Sequence, residues 1–277
     1  MTATVRDVVA ALEAAYPPAL AESWDAVGLI CGDPAEPVRR VLVAVDPVAE
    51  IVAEALERDA QLLVTHHPLL LRGVHGVPAD DPKGGLVHRL VRARIGLFCA
   101  HTNADVADPG VSDALAHALG LAVTGVLAGR DELARTGLGR ICELPRPESL
   151  RAFTGRVYDA LPETAWGVRA AGDPQRLVRM VAVCGGAGDS LLGAASAAGV
   201  DSFVTADLRH HLASEHLAAG GPALVDVAHW ASEHPWCAQA AAVMSTALGG
   251  TVDVHISHRR TDPWTIGSAQ PSGRPSR

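Results

Sequence analysis

Apolar residues along this chain fall into short continuous runs, separated by segments whose apolar positions recur every three or four residues. The runs "VRRVLVAVD" (38–46), "AQLLVTHH" (60–67) and "IGLFCAHTN" (95–103) read as buried strands. Residues 6–16, 48–58, 84–95 and 111–121 carry the helical period, the last with Ser112 placed to cap it. Strands this apolar imply a sheet covered on both faces. At about 122–140 the character changes, and glycine and arginine become dense in "GRDELARTGLGR". From 141 a second series begins, with strands at 141–145, 177–188, 200–207 and 223–229. Helices are expected near 147–161, at 190–199 and 208–219, and from about 232, with a last strand at 252–257.

Strands alternating with helices predict an α/β protein. The expected architecture is two α/β domains with mostly parallel sheets flanked by helices. The first domain is expected over residues 1–125 and the second over 126–235. The segment 236–265 should return to the first domain, and 266–277, rich in Pro, Ser, Gly and Arg, should form a disordered tail.

Composition narrows the function classes. Of 277 residues, 48% are hydrophobic, as in a globular chain, yet no apolar stretch reaches the ~20 residues of a membrane helix. Arg6, Asp7 and Glu13 interrupt the N-terminal pattern, unlike a signal peptide, so a cytoplasmic protein is expected. The net charge is −8, Lys83 is the sole lysine and no basic stripe appears, which argues against nucleic acid as a partner. Cys31, Cys99, Cys142, Cys184 and Cys237 form no CxxC pair and read as reduced, buried thiols.

Candidate chemistry gathers at three strand ends: His66-His67, then His101 with Asn103 and Asp105, then His229 with Glu233 four residues on. Ligands of open α/β sheets bind beyond the carboxyl ends of strands, so the recurrence points to one crevice. Imidazole mixed with carboxylate suits zinc, iron, manganese or cobalt better than calcium. The segment "CGGAGD" (184–189) reads equally as a backbone cradle for an anion or as a tight strand-to-helix turn. Trp24, Trp166, Trp230, Trp236 and Trp264 show no stacking pattern and are expected to pack in the core or at an interface.

Seven segments in order carry a resemblance: "ESWDAVGLICGDP", "VTHHPLLLRG", "AHTNADVADPGVSDALAHALGL", "GLGRICELP", "VAVCGGAGDSLL", "DSFVTADLRHH" and "DVAHWASEH". Over nearly the whole chain they resemble the GTP cyclohydrolase 1 type 2 homologs, also called the NIF-three-like family of dinuclear metal proteins. The resemblance implies two divalent metal ions per chain, in the cleft between the domains. Their ligands would be His66, His67, Asp105, His229 and Glu233. His67 and Asp105 would hold one ion and His66 and His229 the other, with Glu233 bridging. Ending the strand at Pro68 would then let adjacent imidazoles address neighbouring ions instead of opposite faces of a sheet. His101 matches a family histidine close to the metals and is assigned either to supporting the ligands from behind or to proton transfer. His211 matches the histidine after a "TGD" motif that here reads "TAD", with Ala206 in place of glycine, and Ala26 stands where the family usually has asparagine.

The activity implied is metal-dependent hydrolysis of a nucleotide or another phosphate-containing small molecule, GTP ring opening among the candidates. A metal-binding regulatory or assembly protein without turnover is the alternative. The resemblance also implies a ring-shaped homohexamer.

Overall fold

The computed structural model describes residues 2–129 and 135–267, so the expected disordered tail lies outside the described residues from Ser268 onward. The described residues form two compact units, one of residues 2–111 with 236–261 and one of 112–129, 135–235 and 262–267.

The first unit opens with α1 (Val5–Ala15), started by a capping box in which Thr4 and Asp7 satisfy each other's backbone N–H. Then come β1 (Gly28–Cys31), β2 (Arg40–Ala44), α2 (Ala49–Glu57) and β3 (Leu62–Thr65). Next are α3 (Pro82–Arg92), capped by the Asp81 carboxylate on the N–H groups of Lys83 and Gly84, then β4 (Gly96–Cys99) and the short α4 (Thr102–Val106). Strands β2, β3 and β4 pair in parallel, and β1 joins the β4 edge antiparallel. Leu42, Leu63 and Leu97 from these strands pack with Ile51, Val52 and Leu90 from the helices, all six fully buried. Each such side chain contributes about 1.5–3 kcal/mol by leaving water.

The second unit runs α5 (Val111–Ala118), β5 (Ala122–Gly129), β6 (Gly137–Ser149), α6 (Leu150–Ala160), β7 (Val168–Ala171) and β8 (Leu177–Ala187). After a short 3-10 turn follow α7 (Leu192–Ala197), β9 (Ser202–Ala206), α8 (His210–Ala218), β10 (Ala223–Val227) and α9 (His229–Glu233). The sheet order is β5-β6-β8-β9-β10-β7; β8, β9 and β10 are parallel, and the remaining pairings are antiparallel. Helix α5 begins at Val111, so Ser112 is not its cap but lies inside the first turn. The Ser112 hydroxyl instead accepts the Gly185 N–H at 3.4 Å.

The chain then returns to the first unit through α10 (Pro235–Ala247) and β11 (Asp253–Ile256), which pairs parallel to β2 and completes the order β1-β4-β3-β2-β11. Both sheets are thus mixed and flanked by helices. Among the described residues no helix is long and apolar enough to cross a membrane. Cys31 is half-buried and the other four cysteines are buried.

Candidate metal centre

In the first unit the donors sit just beyond β3 and β4. The N–H groups of His66 and His67 still bond to the carbonyls of Ala44 and Val45, at 3.3 and 2.9 Å, so β2 holds the pair past the end of β3. The Thr65 hydroxyl donates to the His67 carbonyl at 2.9 Å, and Pro68 has no N–H with which to continue the ladder. The chain therefore turns, and the two rings lie 5.1 Å apart between centroids at 38°, side by side. His101, after β4, brings its ring to 5.3 Å from His66 and 5.7 Å from His67. One helical turn on, Asp105 places Oδ1 3.7 Å from His66 Nε2. Ligand nitrogens of His66, His67 and His101 all lie within 4.8 Å of one another, a cluster that can take a metal ion.

The other nitrogen of each ring is already engaged. His66 Nδ1 lies 2.9 Å from the Ala100 carbonyl, which can only accept, so this nitrogen carries the proton and Nε2 keeps its lone pair. His67 Nδ1 is 2.6 Å from Asp46 Oδ1, and the Thr261 hydroxyl donates to the other oxygen of that carboxylate. His101 Nδ1 is 2.8 Å from Asp25 Oδ1. The Asp25 side chain is fully buried, and both the N–H and the hydroxyl of Thr102 donate to its Oδ2. Burial raises the Asp25 pKa, but the hydrogen bonds from Thr102 and His101 outweigh it and hold the carboxyl below its ordinary value. Burial, with His66 alongside, pushes the His101 imidazole below its usual pKa against the opposing pull of Asp25. Beneath the cluster, Trp236 is fully buried with its ring 5.3 Å from that of His66. Asn103 donates to the Tyr16 carbonyl at 2.7 Å, which pins α4.

In the second unit His229 opens α9 directly after β10, and Glu233 stands one turn later on the same face. His229 Nε2 is 3.0 Å from Glu233 Oε1, and His229 Nδ1 is 2.6 Å from Asp207 Oδ2. Glu233 is only 3% exposed, in surroundings where a carboxylate needs a cation or several donors. Gly186, at φ +69°, closes the other side. A Cβ there would come within 2.5 Å of Glu233 Oε1 and 3.3 Å of His229 Nε2. The glycine-rich segment 184–189 is thus fitted around these two side chains. Gly185 and Gly186 lie within β8 and not in a turn, and their amides donate to the hydroxyls of Ser112 and Ser232, at 3.4 and 2.8 Å. His211, in the first turn of α8, is exposed.

Asp25, Asp46 and Asp207 belong to none of the three histidine-bearing clusters in the sequence, yet two of them carry a signal. Asp46 and Asp207 follow the strands 38–46 and 200–207 at their carboxyl ends, the position that marks the histidines.

Comparison with known proteins agrees with the resemblance in the motifs. The sequence model of the family described as Duf34/NIF3 (NGG1p interacting factor 3) matches residues 3–263. A Streptomyces coelicolor protein named GTP cyclohydrolase 1 type 2 homolog is 54% identical over 264 residues, covering 94% of this chain and 93% of its own. A Mycobacterium tuberculosis protein of the same name is 42% identical, covering 96% of this chain and 98% of its own. Among solved structures, a Staphylococcus aureus hypothetical protein superposes with a TM-score of 0.87 at 27% identity, over 96% of this chain and all of that one. A Bacillus cereus protein related to NIF3 gives 0.86 at 24% identity, over 96% of this chain and 99% of that one.

Proposed function

This chain belongs to the Duf34/NIF3 family, and from that premise we propose that it is a dinuclear metal protein acting as a metal-dependent hydrolase. On the family resemblance, His66, His67, Asp105, His229 and Glu233 would hold two divalent ions, from among zinc, iron, manganese and cobalt. The substrate is a nucleotide or other phosphate-containing small molecule. GTP is the first candidate, because the curated relatives are named for a GTP cyclohydrolase. One observation supports the metal reading above the rest. His66, His67 and His229 all bond through Nδ1 to a backbone carbonyl or a carboxylate, which leaves Nε2 as the ligating atom, and His101 is held the same way with its Nε2 open to a proton. The collar of Gly186 around buried Glu233 fits the same reading.

A metal pair in such a site supplies Lewis-acid activation of water and stabilises charge developing on the attacked group. This chain's own part is to position and to move protons. His101, its Nδ1 proton held by Asp25, would accept a proton from the attacking water at Nε2 and deliver it to the leaving group. Glu233 supplies negative charge on two oxygens, and Asp105 adds a third carboxylate oxygen from α4.

Stringent chelation should abolish turnover of a nucleotide or phosphoester, and readdition of one divalent metal should restore it. Turnover that survives chelation contradicts the hydrolase reading. Full metal loading with no turnover across nucleotides and phosphoesters favours the regulatory or assembly role. The homohexamer belongs to the same proposal, and light scattering should find a species about six times the 28.7 kDa chain. A monomer or dimer at micromolar concentration contradicts it.

A further inference from the structure

We infer that Asp46, Asp207 and Asp25 are positioning residues that set the tautomers of His67, His229 and His101. Each holds the ring proton on Nδ1, so that Nε2 presents a lone pair. The inference deepens the metal reading above and rests on it for its purpose.

Three imidazoles, each following a different strand, meet a carboxylate through the same nitrogen, at 2.6, 2.6 and 2.8 Å. An imidazole bonded at random would offer either nitrogen. Each carboxylate is also fixed in its own right. Asp46 takes the Thr261 hydroxyl on its second oxygen, and Asp25 takes two donors from Thr102. Asp207 reaches His229 from a backbone φ of +57°, a left-handed conformation uncommon outside glycine that aspartate adopts more readily than most residues. Strain of this kind persists where the surroundings over-determine it, typically at functional sites. Ordinary ion pairing is the competing account, and it fits Asp207 best, since that side chain is 56% exposed. It does not explain Asp25, whose side chain is fully buried. Nor does it explain why each carboxylate selects Nδ1.

A carboxylate behind a ligating imidazole fixes ring orientation and raises basicity at the far nitrogen, and its loss typically weakens metal binding about 10–100-fold. The test uses the full chain with Asp46→Ala, Asp207→Ala and the matching asparagine variants, Asp46→Asn and Asp207→Asn. The asparagine side chain keeps an acceptor oxygen of similar shape. Imidazole proton–nitrogen correlation spectra of the metal-free protein report the tautomers directly. Calorimetric titration with Mn2+ alone and Zn2+ alone reports affinity.

Wild-type His67 and His229 should be the Nδ1–H form. Alanine should release each partner ring to a tautomer mixture and weaken metal about 10–100-fold. Asparagine should restore the Nδ1–H form and most of the affinity. Wild-type rings in the Nε2–H form overturn the inference, as do alanine variants with unchanged tautomers and affinity within twofold. Nδ1–H rings in a wild-type protein that takes up neither metal overturn the dinuclear reading, while the hold of the carboxylates on the rings stands.

Discussion

Glu233→Gln is expected to weaken both metal positions, whereas His229→Ala, one helical turn earlier, should weaken mainly one. A carboxylate can offer one oxygen to each of two cations, while an imidazole has a single free lone pair once its other nitrogen is protonated. Two unit charges about 4 Å apart interact by roughly 4 kcal/mol at an effective dielectric of ~20, and two dications repel about four times as strongly. A bridging anion offsets part of that repulsion, and glutamine keeps the shape of Glu233 without the charge. Because Glu233 is nearly fully buried, with Oε1 3.0 Å from His229 Nε2, solvent cannot stand in for it. Calorimetric metal titration should find at least about tenfold weaker binding at both positions in Glu233→Gln, worth ~1.4 kcal/mol or more at each. Two tightly held ions in that variant would mean that the bridge lies elsewhere.

The second large effect is expected from Gly186→Ala, a change of one methyl group. At φ +69° an alanine backbone is strained by about 1–2 kcal/mol. The new Cβ would also stand 2.5 Å from Glu233 Oε1, closer than any real contact of that kind. The backbone strain should lower the thermal midpoint by a few degrees, and because the atom met is the end of the Glu233 side chain, the carboxylate should be displaced and metal binding should weaken with it. Gly193→Ala in α7 is the control, because a Cβ there meets nothing within 4 Å and alanine suits a helix. Equal midpoints and equal metal affinity in the two variants would contradict the fitted role of the glycine-rich segment.

The parallel strands were the most legible part of the chain. The runs at 38–46, 60–67, 200–207 and 223–229 are β2, β3, β9 and β10, because a strand buried on both faces reads as a near-continuous apolar run. Strands β1 and β7 left no such trace, since each has four residues, none of them buried, at a sheet edge. The Gly- and Arg-dense region at 122–140 includes β5 and the start of β6. The exposed first residues of β5 carry no apolar run to betray the strand.

The histidines were legible because adjacent imidazoles at a strand end have few structural uses. Their carboxylate partners were not. An aspartate after a strand looks like any turn residue. The partner of Asp25 is 76 residues away and that of Asp46 is 21 away, and only the sheet topology brings such pairs together.

The central claim is that this chain holds a metal pair, and elemental analysis under saturating metal tests it most directly. Protein purified without oxygen, loaded with one divalent metal and freed of excess should contain two ions per chain. One ion per chain, or none, would contradict the account.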